Sequence, residues 1–179
     1  MGRLGENPVT HSWRSRVDAY LLGLGSNLGD REYYIDQAID AIRSKCGEVT
    51  AIAPLLETAP WGGTADLSFL NTAIICETSL QPLAMLDQLL AIESDLGRIR
   101  SERWGNRTLD CDIILWRRAP GDYPCFKDAR LSIPHPEAKH RSFVLEPCAA
   151  IAGDWIHPEA GLSLKELWVN LAKSSQQSP

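Results

Sequence analysis

The stretch Arg103-Trp104-Gly105-Asn106-Arg107-Thr108-Leu109-Asp110-Cys111-Asp112-Ile113-Ile114-Leu115 decides how this chain is read. It predicts a strand over Leu109–Trp116. The two-residue period of that strand puts Leu109, Cys111, Ile113 and Leu115 on one face and Asp110 and Asp112 on the other. Aspartate is a poor strand former, and like charges on one face repel, so the pair needs cations nearby. Two carboxylates without Cys or His suit Mg²⁺, which completes its octahedron with water and substrate phosphates. Ordinary salt bridges to neighbouring arginines are the plain alternative. Arg98, Arg100, Arg103 and Arg107 stand against Glu102 alone, so residues 98–107 carry +3 in a chain of net charge −5. Such a run is usually a solvated face. Here it leads into the acidic pair, and arginine forks that grip phosphate oxygens beside a D-x-D pair suit a polyphosphate nucleotide.

Outward from this strand, the pattern gives an order of elements. Ala19–Leu24 is a short apolar run ending in Gly23-Leu24-Gly25-Ser26-Asn27, a buried strand and tight turn. Ile35, Ala38, Ile39, Ile42 and Cys46 recur at helical spacing, with Gly47 just past the end. Glu48–Glu57 and Phe69–Thr78 read as strands around the Gly/Pro-rich loop Ala59–Gly63. Pro82 suits the first turn of a helix that carries Met85, Leu89, Ile92 and Leu96 and stops at Gly97. The order strand, helix, strand, strand, helix, strand predicts an α+β, ferredoxin-like βαββαβ core, an antiparallel sheet with two helices on one face and the other face open. Arg130–His135 reads as extended, and Pro136–Ile151 and Leu164–Ala172 as helices added at the C-terminal side. The polar segments 1–16 and 174–179 read as tails around one domain, 17–173.

Composition bounds the function. With 179 residues, 44% of them hydrophobic, the chain can bury roughly 68–70% of its unfolded surface without staples. It has no apolar run of about 20 residues to span a bilayer, and its acidic balance opposes whole-surface nucleic-acid binding. Five widely spaced cysteines, Cys46, Cys76, Cys111, Cys125 and Cys148, show no ligand pattern and read as reduced, buried small hydrophobes. Residues 1–16 lack the apolar stretch of a secretory signal, so a cytoplasmic protein is expected. There is no Walker G-x-x-x-x-G-K-[ST] sequence, and Gly23-Leu24-Gly25 lacks the third glycine of a dinucleotide fingerprint.

Further candidates flank the acidic strand. Phe69, Asn71 and Ala73 share a strand face, where an aromatic and an amide could hold a flat heterocycle, although a core Phe and a strand-start Asn explain them as well. Trp61 and Trp104 lie in loops. His135 precedes a second basic cluster, Lys139, His140 and Arg141, suited to phosphates.

Taken together, Gly25-Ser26-Asn27-Leu28-Gly29, Glu57-Thr58-Ala59-Pro60, Phe69-Leu70-Asn71, Glu93, Gly97-Arg98-Ile99-Arg100, the block Arg103–Asp112, and Pro134-His135 with Arg141 resemble the 6-hydroxymethyl-7,8-dihydropterin pyrophosphokinases of folate biosynthesis, over about Tyr20–Leu171. The resemblance implies transfer of pyrophosphate from ATP to the hydroxymethyl group of the pterin, with release of AMP and two Mg²⁺ ions. It makes Asp110 and Asp112 the metal ligands and Arg98, Arg100, Arg107 and His135 the catalytic groups. It places ATP near Glu93, Arg98, Arg107, Ile113, Arg130, Ser132, His135 and Arg141. The pterin falls near Thr58, Ala59, Trp61, Phe69, Asn71 and Trp104. ATP and the pterin are the partners it implies; charge and hydropathy add the expectation of no nucleic-acid or membrane partner, and a monomer is expected. Departures from the family pattern are a loop one residue shorter between Arg100 and Trp104, Asn106 for proline, Pro136 for tyrosine, and Trp61 for a smaller residue.

Two rivals share these features. A non-catalytic ferredoxin-like module could stack nucleotide or RNA bases on an open sheet, but paired aspartates would repel a nucleic-acid backbone. A kinase that transfers only the γ-phosphoryl group would yield ADP instead of AMP.

Overall fold

The computed structural model describes residues 17–59, 67–98 and 107–176. Its elements in chain order are β1 (Asp18–Ser26), α1 (Arg31–Lys45), β2 (Glu48–Ile52), β3 (Leu56–Thr58), β4 (Phe69–Thr78), α2 (Pro82–Asp95) and β5 (Asp110–Arg117). These are followed by β6 (Phe126–Lys127), β7 (Ser132–Ile133), a 3₁₀ turn (Ala138–His140), α3 (Ser142–Ala152), β8 (Ile156–His157), β9 (Leu162–Ser163) and α4 (Leu164–Gln176). The main sheet runs β2-β4-β1-β5, all antiparallel, with β3 also paired to β4. That is the predicted ferredoxin-like α+β arrangement. The tail 1–16 and the loops around Gly62-Gly63 and Ser101–Gly105 lie outside the described residues.

The helices form where the sequence repeats at 3.6. Ile35, Ala38, Ile39 and Ile42 of α1 and Met85, Leu89 and Ile92 of α2 are buried against Tyr20, Leu22 and Leu24 of β1, Ile74 and Cys76 of β4, and Leu109, Cys111 and Ile113. Each fully buried apolar side chain of this kind contributes roughly 1.5–3 kcal/mol. Asp30 caps α1 by accepting from the Tyr33 N–H at 3.1 Å, and α2 opens on Pro82 without a side-chain cap. Where Glu48–Glu57 was expected as a single strand, Ala53-Pro54-Leu55 divides it into β2 and β3, since proline offers no N–H to the ladder.

Two further expectations are corrected. The register of β5 on β1 shifts between Leu21 and Leu22, with Leu21 opposite Leu115 and Leu22 opposite Ile113, so Ile114 is an extra residue. The bulge turns both Ile114 and Leu115 to the face away from α1 and α2, which breaks the simple alternation. That face is also not fully open. Leu145, Cys148 and Ala152 of α3 and Leu164 of α4 cover its Ala19, Leu21, Ile75 and Leu115 end, while a pocket lies between the end that carries the aspartates and the start of α3. α4 continues through Gln176, past the expected helix end at Ala172. Of the cysteines, Cys125 is exposed, while the other four are buried; burial pushes the thiols of Cys76 and Cys148 up to about 12. No helix among the described residues is long and apolar enough to cross a membrane.

The end of α1 packs without slack on the end of β4. Thr78 Oγ1 donates to the Cys46 carbonyl at 2.6 Å, and a Cβ on Gly47 would stand 2.2 Å from the Glu77 carbonyl oxygen. Gly47→Ala is therefore expected to destabilise the protein by at least about 1–3 kcal/mol, read as a lowered midpoint in thermal or denaturant unfolding.

Candidate functional site

Alternation on three adjacent strands builds the site. In β1, Gly23 and Gly25 lie at the aspartate-bearing end of the sheet; Gly25 pairs with Asn71 of β4 on one side and Asp110 of β5 on the other, and Gly23 pairs with Ala73 and Asp112. Two glycines thus form a floor with an amide wall and a carboxylate wall. The floor is lowest where side chains are absent, since a Cβ on Gly25 would meet Asn71 Oδ1 at 3.0 Å. The pocket above it is lined on the β3–β4 side by Thr58, Ala59, Phe69 and Asn71, on the β5 side by Arg107, Asp110 and Asp112, and at the roof by Arg141, Phe143 and Val144 at the start of α3. The contribution of Gly23, Gly25, Phe143 and Val144 was not recognised in the sequence. A G-x-G pair inside a strand was the available signal, because a spacing of two puts both glycines on one face.

The amide wall is held by Asn71, which donates from Nδ2 to Thr58 Oγ1 at 2.9 Å and is itself buried. The carboxylate wall is an ion cluster. Arg98 Nη1 lies 2.6 Å from Asp110 Oδ1, and Arg107 Nη1 lies 2.5 Å from Asp110 Oδ2. Arg98 also pairs with Glu93, whose carboxylate is 2% exposed beneath β5 and accepts the Cys111 N–H at 2.8 Å. Burial opposes the charge on Arg98, yet Asp110 and Glu93 outweigh it and hold the guanidinium above its ordinary pKa. The salt-bridge reading of the acidic pair thus holds for Asp110. Asp112 has no ion pair among the described residues. Burial and then the neighbouring Asp110 push its carboxyl up to about 6, against the pull of Arg141, Arg98 and Arg107.

His135 is anchored by its own N–H to the Ile114 carbonyl at 3.0 Å, and its Nδ1 accepts the Glu137 N–H at 3.2 Å. Burial, and next Arg141, lower its pKa, so the ring is neutral at pH 7. Asn27, at the end of β1, ties both walls together. Its Oδ1 accepts the Arg107 N–H at 2.7 Å, its own N–H donates to the Arg107 carbonyl at 3.2 Å, and its Nδ2 reaches the Leu67 carbonyl at 3.5 Å.

Ile113, Arg130 and Ser132 do not line this pocket. Ile113 projects into the helix-side core, as its odd position in β5 dictates, and not onto the face of the aspartates. Arg130 is exposed and pairs with Asp87 of α2 at 2.6 Å; neither it nor Ser132 of β7 lines the pocket. Trp61, Arg100 and Trp104 lie outside the described residues.

Paired carboxylates set among converging arginines are a donor set whose chemistry suits polyphosphates. The model of the family "7,8-dihydro-6-hydroxymethylpterin-pyrophosphokinase (HPPK)" matches residues 21–153. The chain belongs to this family. Proteins named 2-amino-4-hydroxy-6-hydroxymethyldihydropteridine pyrophosphokinase are similar to it. That of Methylorubrum extorquens is 39% identical over 136 residues, covering 75% of this chain and 83% of that protein. That of Bacillus subtilis is 40% identical over 131 residues, covering 73% and 75%. That of Pseudomonas aeruginosa is 40% identical over 152 residues, covering 84% and 90%. Among solved structures, a Plasmodium falciparum HPPK-DHPS superimposes with a TM-score of 0.74 at 14% identity, over 93% of this chain and 46% of that one. This chain therefore spans less than half the length of that two-part protein.

Because Glu93 answers both a buried N–H and Arg98, Glu93→Ala should cost about 1–3 kcal/mol for the orphaned groups. Denaturant unfolding checks this; an unchanged midpoint would show that water replaces the carboxylate.

Proposed function

We propose that this protein transfers the β,γ-pyrophosphoryl group of ATP to 6-hydroxymethyl-7,8-dihydropterin, giving the pterin diphosphate and AMP, in folate biosynthesis and in the cytoplasm. The observation that carries the reading is the glycine-floored pocket that sets an amide-and-aromatic wall opposite a carboxylate-and-arginine wall. The four buried cysteines, unpaired in disulfides, agree with a reducing compartment.

The donor chemistry fits magnesium. Asp110 and Asp112 offer oxygen ligands only, and no group of three or more His, Cys, Asp or Glu among the described residues could complete a protein cage. The remaining ligands then fall to phosphates and water, the usual habit of Mg²⁺. Asp112, raised by burial and then by its acidic neighbour, would be relieved by a cation. Asp110 and Asp112 would hold the metal, two ions by this reading, and it would supply withdrawal of charge from the phosphate oxygens.

The pterin lies against Phe69 with its edge toward Asn71 and Thr58, which orients the hydroxymethyl group toward the carboxylate wall. Arg98 and Arg107, now clasping Asp110, turn their forks to the triphosphate as it enters, and Arg141 meets it from the roof. The pterin hydroxyl oxygen attacks the β-phosphorus, the bond from that phosphorus to the bridging oxygen on the α-phosphate breaks, AMP departs with that oxygen, and the hydroxyl proton passes to water. Neutral His135 can donate a hydrogen bond but adds no charge. Positioning and charge neutralisation supply the rate, without a strong base.

Incubation with ATP, Mg²⁺ and the dihydropterin should yield AMP and a pterin diphosphate by chromatography; ADP as the nucleotide product would overturn the reading. Asp110→Asn and Asp112→Asn should each lower kcat by at least about 100-fold with circular dichroism unchanged, and chelation of Mg²⁺ should stop turnover reversibly. Gly25→Val, which fills the floor, should weaken pterin binding by more than about tenfold, measured by calorimetric titration.

A further inference from the structure

Arg31 is the first residue of α1, where the partial positive charge of the helix N-terminus disfavours a cation. Helix stability does not account for it there, and Asp30 already caps the helix. The guanidinium reaches instead to the sheet. Its Nη1 lies 2.9 Å from Glu57 Oε1, 2.8 Å from Ser68 Oγ and 3.0 Å from the Ser68 carbonyl oxygen. Ser68 Oγ donates to the same Glu57 oxygen at 2.8 Å, which closes a three-residue network. The Ser68 hydroxyl, followed by Arg31, holds the Glu57 carboxyl below its usual pKa.

The positions of the two partners matter more than the strength of the pair. Glu57 immediately precedes Thr58 in β3, Ser68 immediately precedes Phe69 in β4, and Thr58 and Phe69 are opposite one another in the β3–β4 register. Thr58 and Phe69 line the pocket, and Thr58 also receives the Asn71 hydrogen bond. β3 is only three residues long, and its ladder to β4 is correspondingly short. An exposed ion pair contributes little to global stability. One that bridges the neighbours of two opposed wall residues constrains their spacing.

We propose that Arg31 is a positioning residue for the heterocycle-binding wall. Acting through Glu57 and Ser68, it keeps β3 and β4 in register so that Thr58, Phe69 and Asn71 hold the spacing that receives the ring, and it does not touch substrate. This rests on the pterin reading above.

The test compares the full chain with Arg31→Met, Arg31→Lys, Glu57→Gln and the double variant Arg31→Met/Glu57→Gln. Arg31→Met should raise KM for the dihydropterin about 3–10-fold while kcat and KM for ATP stay within about twofold and the unfolding midpoint stays close to that of the parent. Arg31→Lys, which keeps one charged contact, should recover part of the loss. The double variant should be no worse than Arg31→Met alone, since both remove one network. Amide hydrogen exchange over Leu67–Asn71 should quicken in Arg31→Met. An unchanged pterin KM, an unchanged exchange rate, or equal losses in both KM values and in the midpoint would each overturn the proposal. A parent protein that forms no AMP would sink the proposed activity, and the exchange comparison would still decide whether Arg31 holds this wall.

Discussion

Asp110 and Asp112 project two residues apart from the same face of β5, and much of the arrangement around the site answers that repulsion. Asp110 is neutralised from both sides, by Arg98 and Arg107. Arg98 is in turn fixed by Glu93 from beneath the sheet, and that carboxylate holds the β5 backbone through the Cys111 N–H. The cluster therefore crosses the sheet from the helix layer to the pocket. Breaking a buried pair leaves an uncompensated charge, which costs far more than the pair contributes net.

The central strand β1 lets this charge be used. Its even positions, Tyr20, Leu22 and Leu24, fill the core over α1 and α2, while Gly23 and Gly25 leave room on the opposite face. The bulge at Ile114 then divides that face. Leu115 joins the apolar contact with α3 and α4, and the aspartates stay beyond the covered end. A sheet buried on both faces along its whole length would leave no place for a ligand; α3 stops short and turns its first residues into a roof.

Much of this was legible in the residues. The period of β4, the helical spacing in α1 and α2, and the placement of Asp110 and Asp112 follow from local chemistry, and the structure has them where the pattern puts them. The bulge was not legible, because Ile113-Ile114-Leu115 is apolar throughout and alternation cannot distinguish its faces. Nor was the cover over the second face, which depends on where α3 returns in space. Only the resemblance attaches Ile113 and Arg130 to the nucleotide; the alternation of β5 sends the Ile113 side chain to the core, and Asp87, the partner of Arg130 in the structure, is 43 residues away in the chain and beyond the reach of local pattern.

The resting cluster also bears on how a nucleotide can be bound tightly without a large cost of reorganisation. Arginine side chains left in water would have to be desolvated and ordered together as the triphosphate arrived, at a cost of about 0.5–1.5 kcal/mol for each immobilised side chain. Here Arg98 and Arg107 are already ordered and partly buried, with Asp110 occupying the place of an anion. On the proposed reading, incoming phosphate oxygens would exchange one anionic partner for another, and the displaced carboxylate would be left to serve a cation as a ligand. The same exchange disfavours ligands without phosphate, which offer the arginines nothing in return for Asp110. On that reading, selectivity for a polyphosphate would follow from the ion pairs of the resting site, before any contact with the base.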